Sequence, residues 1–598
     1  INVTGPEFPG LPGIILGFND HVAWGSTTAG FDVTDDYTET LTPDGGTVVF
    51  NGQPVALQTI PETINVAGGT SFVYDVLNVP QHGPIVPTIV NHRVVAPDPT
   101  KPAISIKWTG MQPTNELQAV AGYMRAQTVE DARVAVRNFA VGAQNWVFAD
   151  DQGNIFYSAQ SQIPIRDKRA YTWDANAFTG TLPAFVLPGD GTCEWSGQYL
   201  DESFVPHVKN PTAGYVGTAN GDPVGVTLDN DPSNDTLPNG QSVYIGSLFD
   251  PGLRQGQVHK LIENVGHPIT AVDIAAMQAN VQSSFGLRLT PVLLAALADA
   301  QAEAATPGTH PDLTAVVTSA RYQAANIPDL VNLLTQWGTT LAYDARAGVS
   351  LDDGSPSTDA NELLGAKATL VFNSWLVRMI AATFDDELTV VGDSNPDLVV
   401  ALWYLTTTPP AQTATYDATT GQSAIFDDLT TPTVTETSDS LAVSSLLDVV
   451  DFLSTKLGND QSKWLWGTLH TLRFASLVSL WESLSIPPIG DSVFPNGFPR
   501  HGDGYNIDVG DYDHTPDTLA DVDFTYGSGP TQRFVIDVSS AGSTPFNVLP
   551  GGEIWDNASP HFRDEAELWR RNENHPVAYS HADVLAAAES RVQFVVGK

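Results

Sequence analysis

Cysteine is almost missing from this 598-residue chain: Cys193 is the only one. No internal disulfide can therefore form, and the scarcity is compatible with the bacterial periplasm or exterior. Positive charge is scarce too, with 27 Lys+Arg against 68 Asp+Glu and a formal net charge of -41. That balance repels nucleic acid and anionic membrane surfaces, so neither is expected as a partner, while it supplies carboxylates for a hard cation. No uninterrupted apolar run approaches the roughly 18–20 residues of a membrane span. An initiator Met and a signal peptide are missing as well. The chain opens at Ile1-Asn2-Val3-Thr4-Gly5, as expected of a fragment or a processed product.

What is present points to a large α+β protein. Hydrophobic residues make up 42% of the chain, enough to bury one sizeable core or several. Residues 1–255 form the first part of the expected β core, and over 1–110 short apolar runs, such as Ala103-Ile104-Ser105-Ile106-Lys107-Trp108, alternate with Gly, Pro and Asp turns and predict strands. Within them Thr128-x-x-Asp131 resembles a capping box that starts a helix, and residues 146–157 read as a hairpin with a polar Asp/Gly turn. From 256 to 486 the period becomes helical, interrupted by a Thr/Pro/Asp-rich stretch near 385–440 that reads as a loop. Strand-like patterning returns over 487–598, in Arg533-Phe534-Val535-Ile536-Asp537-Val538, before a final helix near 581–590. Strand-rich ends around a helical middle predict two β portions sharing one layered core.

The segment of most chemical interest runs from Gly17 to Asp35. It is a strand followed by a loop of small residues, Ser26-Thr27-Thr28-Ala29-Gly30, which ends in two carboxylates three positions apart. Small residues let a backbone N–H approach a ligand closely, as an oxyanion hole requires. Asp32 and Asp35, with the carbonyl of Thr34, could share a hard cation. The spacing alone leaves a solvated polar turn open. His82 and His470 read as satisfied structural histidines, Trp464 and Trp466 as packing residues, and Cys193 as an inert thiol.

Further blocks fall in a fixed order: His82-Gly83-Pro84; Asn154-Ile155 through Pro164-Ile165-Arg166; Trp195-Ser196-Gly197; Thr218-Ala219-Asn220-Gly221-Asp222-Pro223; Arg254; Trp464-x-Trp466-Gly467-x-x-His470; and Ser559-Pro560-His561-Phe562. Together with Gly17–Glu39 they resemble the β chain of the penicillin acylase family. The resemblance implies an N-terminal-nucleophile hydrolase fold, a four-layer αββα core of two packed antiparallel sheets with a large helical insertion. It implies hydrolysis of a linear amide, removing the N-acyl group of a β-lactam or related acylated amine. An acyl-homoserine-lactone or lipopeptide acylase is the alternative within the family. In such enzymes a precursor cuts itself and the new N-terminal Ser attacks, with its own α-amine as the base; an α-amine pKa near about 8 suits that task.

Carried over residue by residue, the resemblance gives Thr28 an oxyanion-holding backbone N–H and Asn220 the second, side-chain donor. Arg254 becomes the arginine that supports Asn220, and Leu16, Ser26 and Gly30 line the acyl pocket. Asp32, Asp35 and the carbonyls of Thr34 and Pro164 become ligands of a structural calcium ion. It also implies an α chain from the same precursor, a small-molecule amide as substrate, and a periplasmic or extracellular bacterial location. Two features depart from the pattern: an additional acidic loop, Asp229-Asn230-Asp231-Pro232-Ser233-Asn234-Asp235, and Gly551-Gly552-Glu553-Ile554-Trp555 where the family has a G-Q-S-G turn. The attacking Ser is expected upstream of Ile1, and residues 1–598 alone are expected to be inactive. A catalytically inactive, calcium-stabilised secreted binding protein is the alternative of another class.

Overall fold

The computed structural model describes all residues except 175–176, 178, 392–397, 517–521, 540–544 and 591–598. The chain divides into two compact units, Ile1–Gln255 with Val538–Ser543 and Ala578–Lys598, and Gly256–Asp537 with Thr544–Val577.

The first unit is strand-rich. It contains β1 (Val3–Thr4), β2 (Gly17–Asn19), β3 (Val22–Thr28), β4 (Thr34–Glu39), β5 (Ala103–Trp108), α1 (Glu116–Tyr123) and α2 (Val129–Val136). After these come β6 (Gln144–Asp150), β7 (Ile155–Gln160), β8 (Pro164–Arg166), β9 (Trp195–Tyr199) and β10 (His207–Lys209). Six of the strands form an antiparallel sheet in the order β1-β2-β3-β6-β7-β10. β6 and β7 are the expected hairpin. The capping box of α2 is also present: the Asp131 N–H donates to Thr128 Oγ1 at 3.2 Å, and the Thr128 N–H to Asp131 Oδ2 at 3.1 Å.

Side-chain alternation along β3 explains how the unit holds its central loop. Val22 and Trp24 point to one face and pack with Val129, Val136, Trp146, Phe148 and Phe156 beneath the helices. Beyond the end of β3 the chain enters a second core, where Ala29, Phe31 and Val33 meet Ala143, Ala159, Ile163 and Ile245. Each fully buried large apolar side chain contributes about 1.5–3 kcal/mol, so Thr27 and Thr28 are tethered from both sides.

The second unit is mainly helical: α4 (Ala271–Gln278), α5 (Ser284–Ala305), α6 (Ile327–Leu341), α7 (Ala360–Val391), α8 (Val399–Thr407) and α9 (Ser438–Leu457), with α3 (Leu253–Glu263) spanning the division between the units. α9 packs on α7 and α5, and α6 on α7. By length and composition α7 could cross a membrane, yet 83% of its most apolar stretch is buried inside the protein. Trp464, Trp466 and His470 are fully buried here, and His470 Nδ1 bonds the Phe524 carbonyl at 2.7 Å. Burial holds that imidazole neutral, with its pKa lowered to about 3.

Residues 385–440 are not one loop. α7 continues to Val391, residues 392–397 lie outside the described residues, α8 occupies Val399–Thr407, and the chain leaves the helix at Thr408 before a 3-10 turn at Pro410–Gln412. Val399 and Leu402, three residues apart, are both fully buried, and that tertiary burial outweighs the Thr and Asp content of the stretch. Strands after Pro487 are short: Arg533–Val535 pairs with Phe546–Val548, which pairs in turn with His575–Pro576. The expected strand through Val538 stops at Val535, and the last helix spans His581–Ala587.

Candidate active site

Thr28 ends β3 as an exposed residue. The next N–H, of Ala29, donates to the Ala143 carbonyl at 2.8 Å, so strand alternation turns the Thr28 N–H away from β6. On that other side β2 pairs with β3 only at Ala23 and Trp24, and has no residue opposite Thr28. A backbone donor at a strand edge, tethered by two cores, is the geometry an oxyanion hole needs.

Asn220 reaches the same place from a distant loop. Its φ of 64° lies in the left-handed region that Asn tolerates better than most residues. Its carbonyl is held by the Asp250 N–H at 3.0 Å. The side-chain oxygen accepts from Arg254 Nη2 at 2.9 Å, and Nδ2 donates to the Thr28 carbonyl and to Thr27 Oγ1, both at 2.8 Å. Arg254 is anchored by Asp250, with Nη2 at 2.8 Å and Nε at 3.2 Å from Oδ2. A cation on the oxygen side thus orients the amide with its N–H₂ toward β3.

Two contributors escaped the sequence reading. Asn145 Nδ2 donates to the Thr28 carbonyl at 2.9 Å, and Asn145 Oδ1 accepts from the Tyr157 hydroxyl at 2.6 Å. The only signal in the sequence is a polar residue leading the apolar run Trp146-Val147-Phe148; its partnership with Thr27 across the ladder is a matter of register. With both amides on its oxygen and Ala143 on its N–H, the peptide plane after Thr28 is fixed.

Of the three expected acyl-pocket residues, Gly30 lines a cleft of about 470 Å³, together with Phe31, Asp32, Phe185, Tyr244 and Leu248. At a φ of 69°, with Phe249 and the Leu248 carbonyl 3.1 and 3.3 Å from where a Cβ would sit, that position requires glycine. Ser26 lies on β3 opposite Trp146, and Leu16 precedes β2; both are half-buried and neither lines this cleft.

The expected calcium ligands do converge, but around a guanidinium. Arg166 Nε and Nη2 contact both oxygens of the fully buried Asp35 at 2.8–3.1 Å. Nη2 also reaches the Asp32 carbonyl at 3.1 Å and Oδ1 at 3.2 Å, and Nη1 reaches the Pro164 carbonyl at 3.4 Å. Trp195 Nε1 sits 2.5 Å from Asp35 Oδ2, and the Tyr244 hydroxyl 3.0 Å from Asp32 Oδ2. Burial raises the Asp32 carboxyl to about 6, against the opposing pull of Arg166. As arranged, the donor set does not fit the ion, because each oxygen of Asp35 already faces two donors.

His82 is buried between two carboxylates, with Nδ1 2.6 Å from Glu39 and Nε2 2.7 Å from Glu194, and stacks on Tyr37 at 4.0 Å. Cys193 is buried, and that burial raises its thiol pKa, leaving it protonated. Both are structural.

The fold is that of an N-terminal-nucleophile hydrolase: the structure matches a thermostable penicillin G acylase from Alcaligenes faecalis with a TM-score of 0.56 at 18% identity, over 100% of this chain and 94% of that one. The sequence model of the penicillin amidase family matches residues 1–586, and the chain belongs to that family. It is 24% identical over 582 residues to the acyl-homoserine lactone acylase QuiP of Pseudomonas aeruginosa, covering 95% of this chain and 60% of that protein. It is 29% identical over 223 residues to the penicillin G acylase of Escherichia coli, covering 37% of this chain and 24% of that one. The chain thus spans about three-fifths of the length of that lactone acylase.

Proposed function

We propose that this chain is the larger part of an amide hydrolase that removes an N-acyl group from an acylated amine. The observation that carries the reading is the relay Arg254–Asn220–Thr28: Arg254 holds the Asn220 side-chain oxygen, and Asn220 Nδ2 donates at 2.8 Å to the carbonyl of Thr28, the residue whose backbone N–H lies at the strand edge. In the proposed mechanism an N-terminal Ser of the same precursor, outside residues 1–598, attacks the amide carbonyl and its α-amine takes the hydroxyl proton. The Thr28 N–H and Asn220 Nδ2 stabilise the charge on the tetrahedral oxygen. Of the two contacts Asn220 Nδ2 makes to β3, the one to Thr27 Oγ1 yields most easily, since that hydroxyl rotates while the Thr28 carbonyl is also held by Asn145. The amine then leaves with the proton, and water hydrolyses the acyl-enzyme.

An acyl-homoserine lactone is the better-supported substrate class, because the match to a lactone acylase runs along nearly the whole chain. A β-lactam is the second reading, supported by the shorter match over 223 residues. Pairing with an α chain and export to the periplasm or exterior belong to the same proposal, and the charge of -41 argues against nucleic acid or anionic membrane as partners. Residues 1–598 on their own are expected to be inactive.

The test is the complete processed protein and its Asn220→Ala variant, assayed for amine release from a long-chain acyl-homoserine lactone and from an N-acyl β-lactam. Losing one oxyanion donor is expected to lower kcat by about 10²–10³ with KM little changed. A folded, processed protein that cleaves neither amide, or an Asn220→Ala variant with full kcat, rejects the reading.

A further inference from the structure

We infer that Arg166 is the resident cation of the Asp32–Asp35–Pro164 locus, so that this part of the fold uses a covalently supplied guanidinium where the family resemblance puts calcium. The inference rests on that resemblance and on the geometry of one side chain, not on the proposed activity.

The register explains how the guanidinium gets there. On β8, Pro164 and Arg166 are two residues apart and share a face, and Arg166 pairs across the ladder with Trp195 of β9. Both side chains of that pair reach Asp35. Arg166 is 3% exposed, and its fork spans every expected ligand residue except Thr34. The ring of Tyr244 lies 5.4 Å from the guanidinium carbon while its hydroxyl bonds Asp32, closing the other side.

A carboxylate has two oxygens with about four lone-pair positions in all. At Asp35 three N–H donors converge on them: the single Arg166 Nε–H, shared between Oδ1 and Oδ2, Nη2 on Oδ1, and Trp195 Nε1 on Oδ2. Calcium asks for six to eight oxygens at about 2.3–2.6 Å, with no cationic donors among them. It could enter only by expelling a buried guanidinium from Asp32 and Asp35, its carboxylate partners among the described residues. Arg166 thus supplies the positive charge the two carboxylates require, in a planar form that suits a bidentate partner.

The test uses the complete processed protein. Bound metal is measured by elemental mass spectrometry after dialysis, and melting temperature is recorded with chelator and with millimolar calcium. Wild type is expected to carry substoichiometric calcium and to melt at the same temperature in both conditions. Arg166→Met leaves the two carboxylates unneutralised; it is expected to melt several degrees lower and to regain much of the loss in calcium. Stoichiometric calcium whose removal lowers the wild-type melting temperature overturns the inference, as does a folded Arg166→Met protein indifferent to calcium. If Arg166→Met does not fold, the wild-type measurements decide alone. None of these readouts depends on amide hydrolysis, so the failure of this inference and of the proposed function are distinguishable.

Discussion

Arg254 holds the side-chain oxygen of Asn220 at 2.9 Å while its own charge is held by Asp250 at 2.8 Å. The amide is therefore not merely near β3 but oriented toward it by an ion pair that is largely shielded from solvent. Hydrogen bonds to charged groups contribute about 1.5–3 kcal/mol, so Arg254→Met is expected to lower kcat roughly 10- to 100-fold. Arg254→Lys, which keeps the charge but loses the fork that spans Asn220 and Asp250, should fall between. Steady-state kinetics on the processed protein check this. An effect confined to KM, with kcat intact, would mean that Arg254 binds substrate and does not orient Asn220.

Thr28 makes the opposite prediction. Its proposed contribution is a backbone N–H, and its side chain is exposed at the end of β3. Thr28→Ala is expected to keep kcat within a few-fold and the melting temperature within about 1 °C, as for surface substitutions away from special features. A fall matching that of Asn220→Ala would assign the chemistry to the hydroxyl and discard the backbone role.

What was legible in the sequence follows from the range of the forces involved. Local signals are readable: the Thr128–Asp131 capping box and the hairpin of β6 and β7 depend on neighbours a few residues apart. The family resemblance also brought Asn220, Arg254 and Thr28 together in advance, because ordered blocks imply a shared fold. Asn145 and Tyr157 were not legible, since their roles exist only once β6 is registered against β3 and β7. Arg166 stood in plain view, yet spacing could not say that a side chain 131 residues from Asp35 would enter a set of oxygen ligands. Residues 385–440 misled because Thr and Asp content was weighed against a helix that burial makes favourable.

His82 predicts a loss of stability on the alkaline side. Burial opposes its charge, but the bonds to Glu194 and Glu39 outweigh that and raise its pKa above 6.5. A raised folded-state pKa gives stabilisation that is complete below about 6.5, the unfolded value, and lost as pH climbs through the folded one. Glu194 sets the acid limit: burial opposes its charge, yet His82 and Lys107 hold its pKa below 4.5, so its contribution is present above that value and lost as pH falls through the folded pKa. Urea melts of wild type and His82→Gln from pH 5.5 to 8.5 should converge with rising pH. Parallel curves would show that the imidazole is neutral throughout.

Asp503, in the helical unit, carries the reverse sign. It is 2% exposed, and among the described residues neither of its oxygens has a partner in good hydrogen-bond geometry. Burial raises its carboxyl to about 6, with the charge of Asp511 adding to the rise and the nearby Ser283, Tyr505 N–H and Asn373 opposing it more weakly. For an acid with a raised folded-state pKa, stability is lost as pH rises from the unfolded value of 3.8 through about 6, because the native state must give up a proton it holds more tightly. That displacement corresponds to about 3 kcal/mol at most. Asp503→Asn cannot ionise, so its stability relative to wild type should improve steadily from pH 4 to pH 7 and level off above. Calorimetric or urea melts at four or five pH values measure that difference directly, without needing to know what the amide itself costs in the same place. A difference that stays flat across the range would show that the Asp503 carboxylate is satisfied in its charged form.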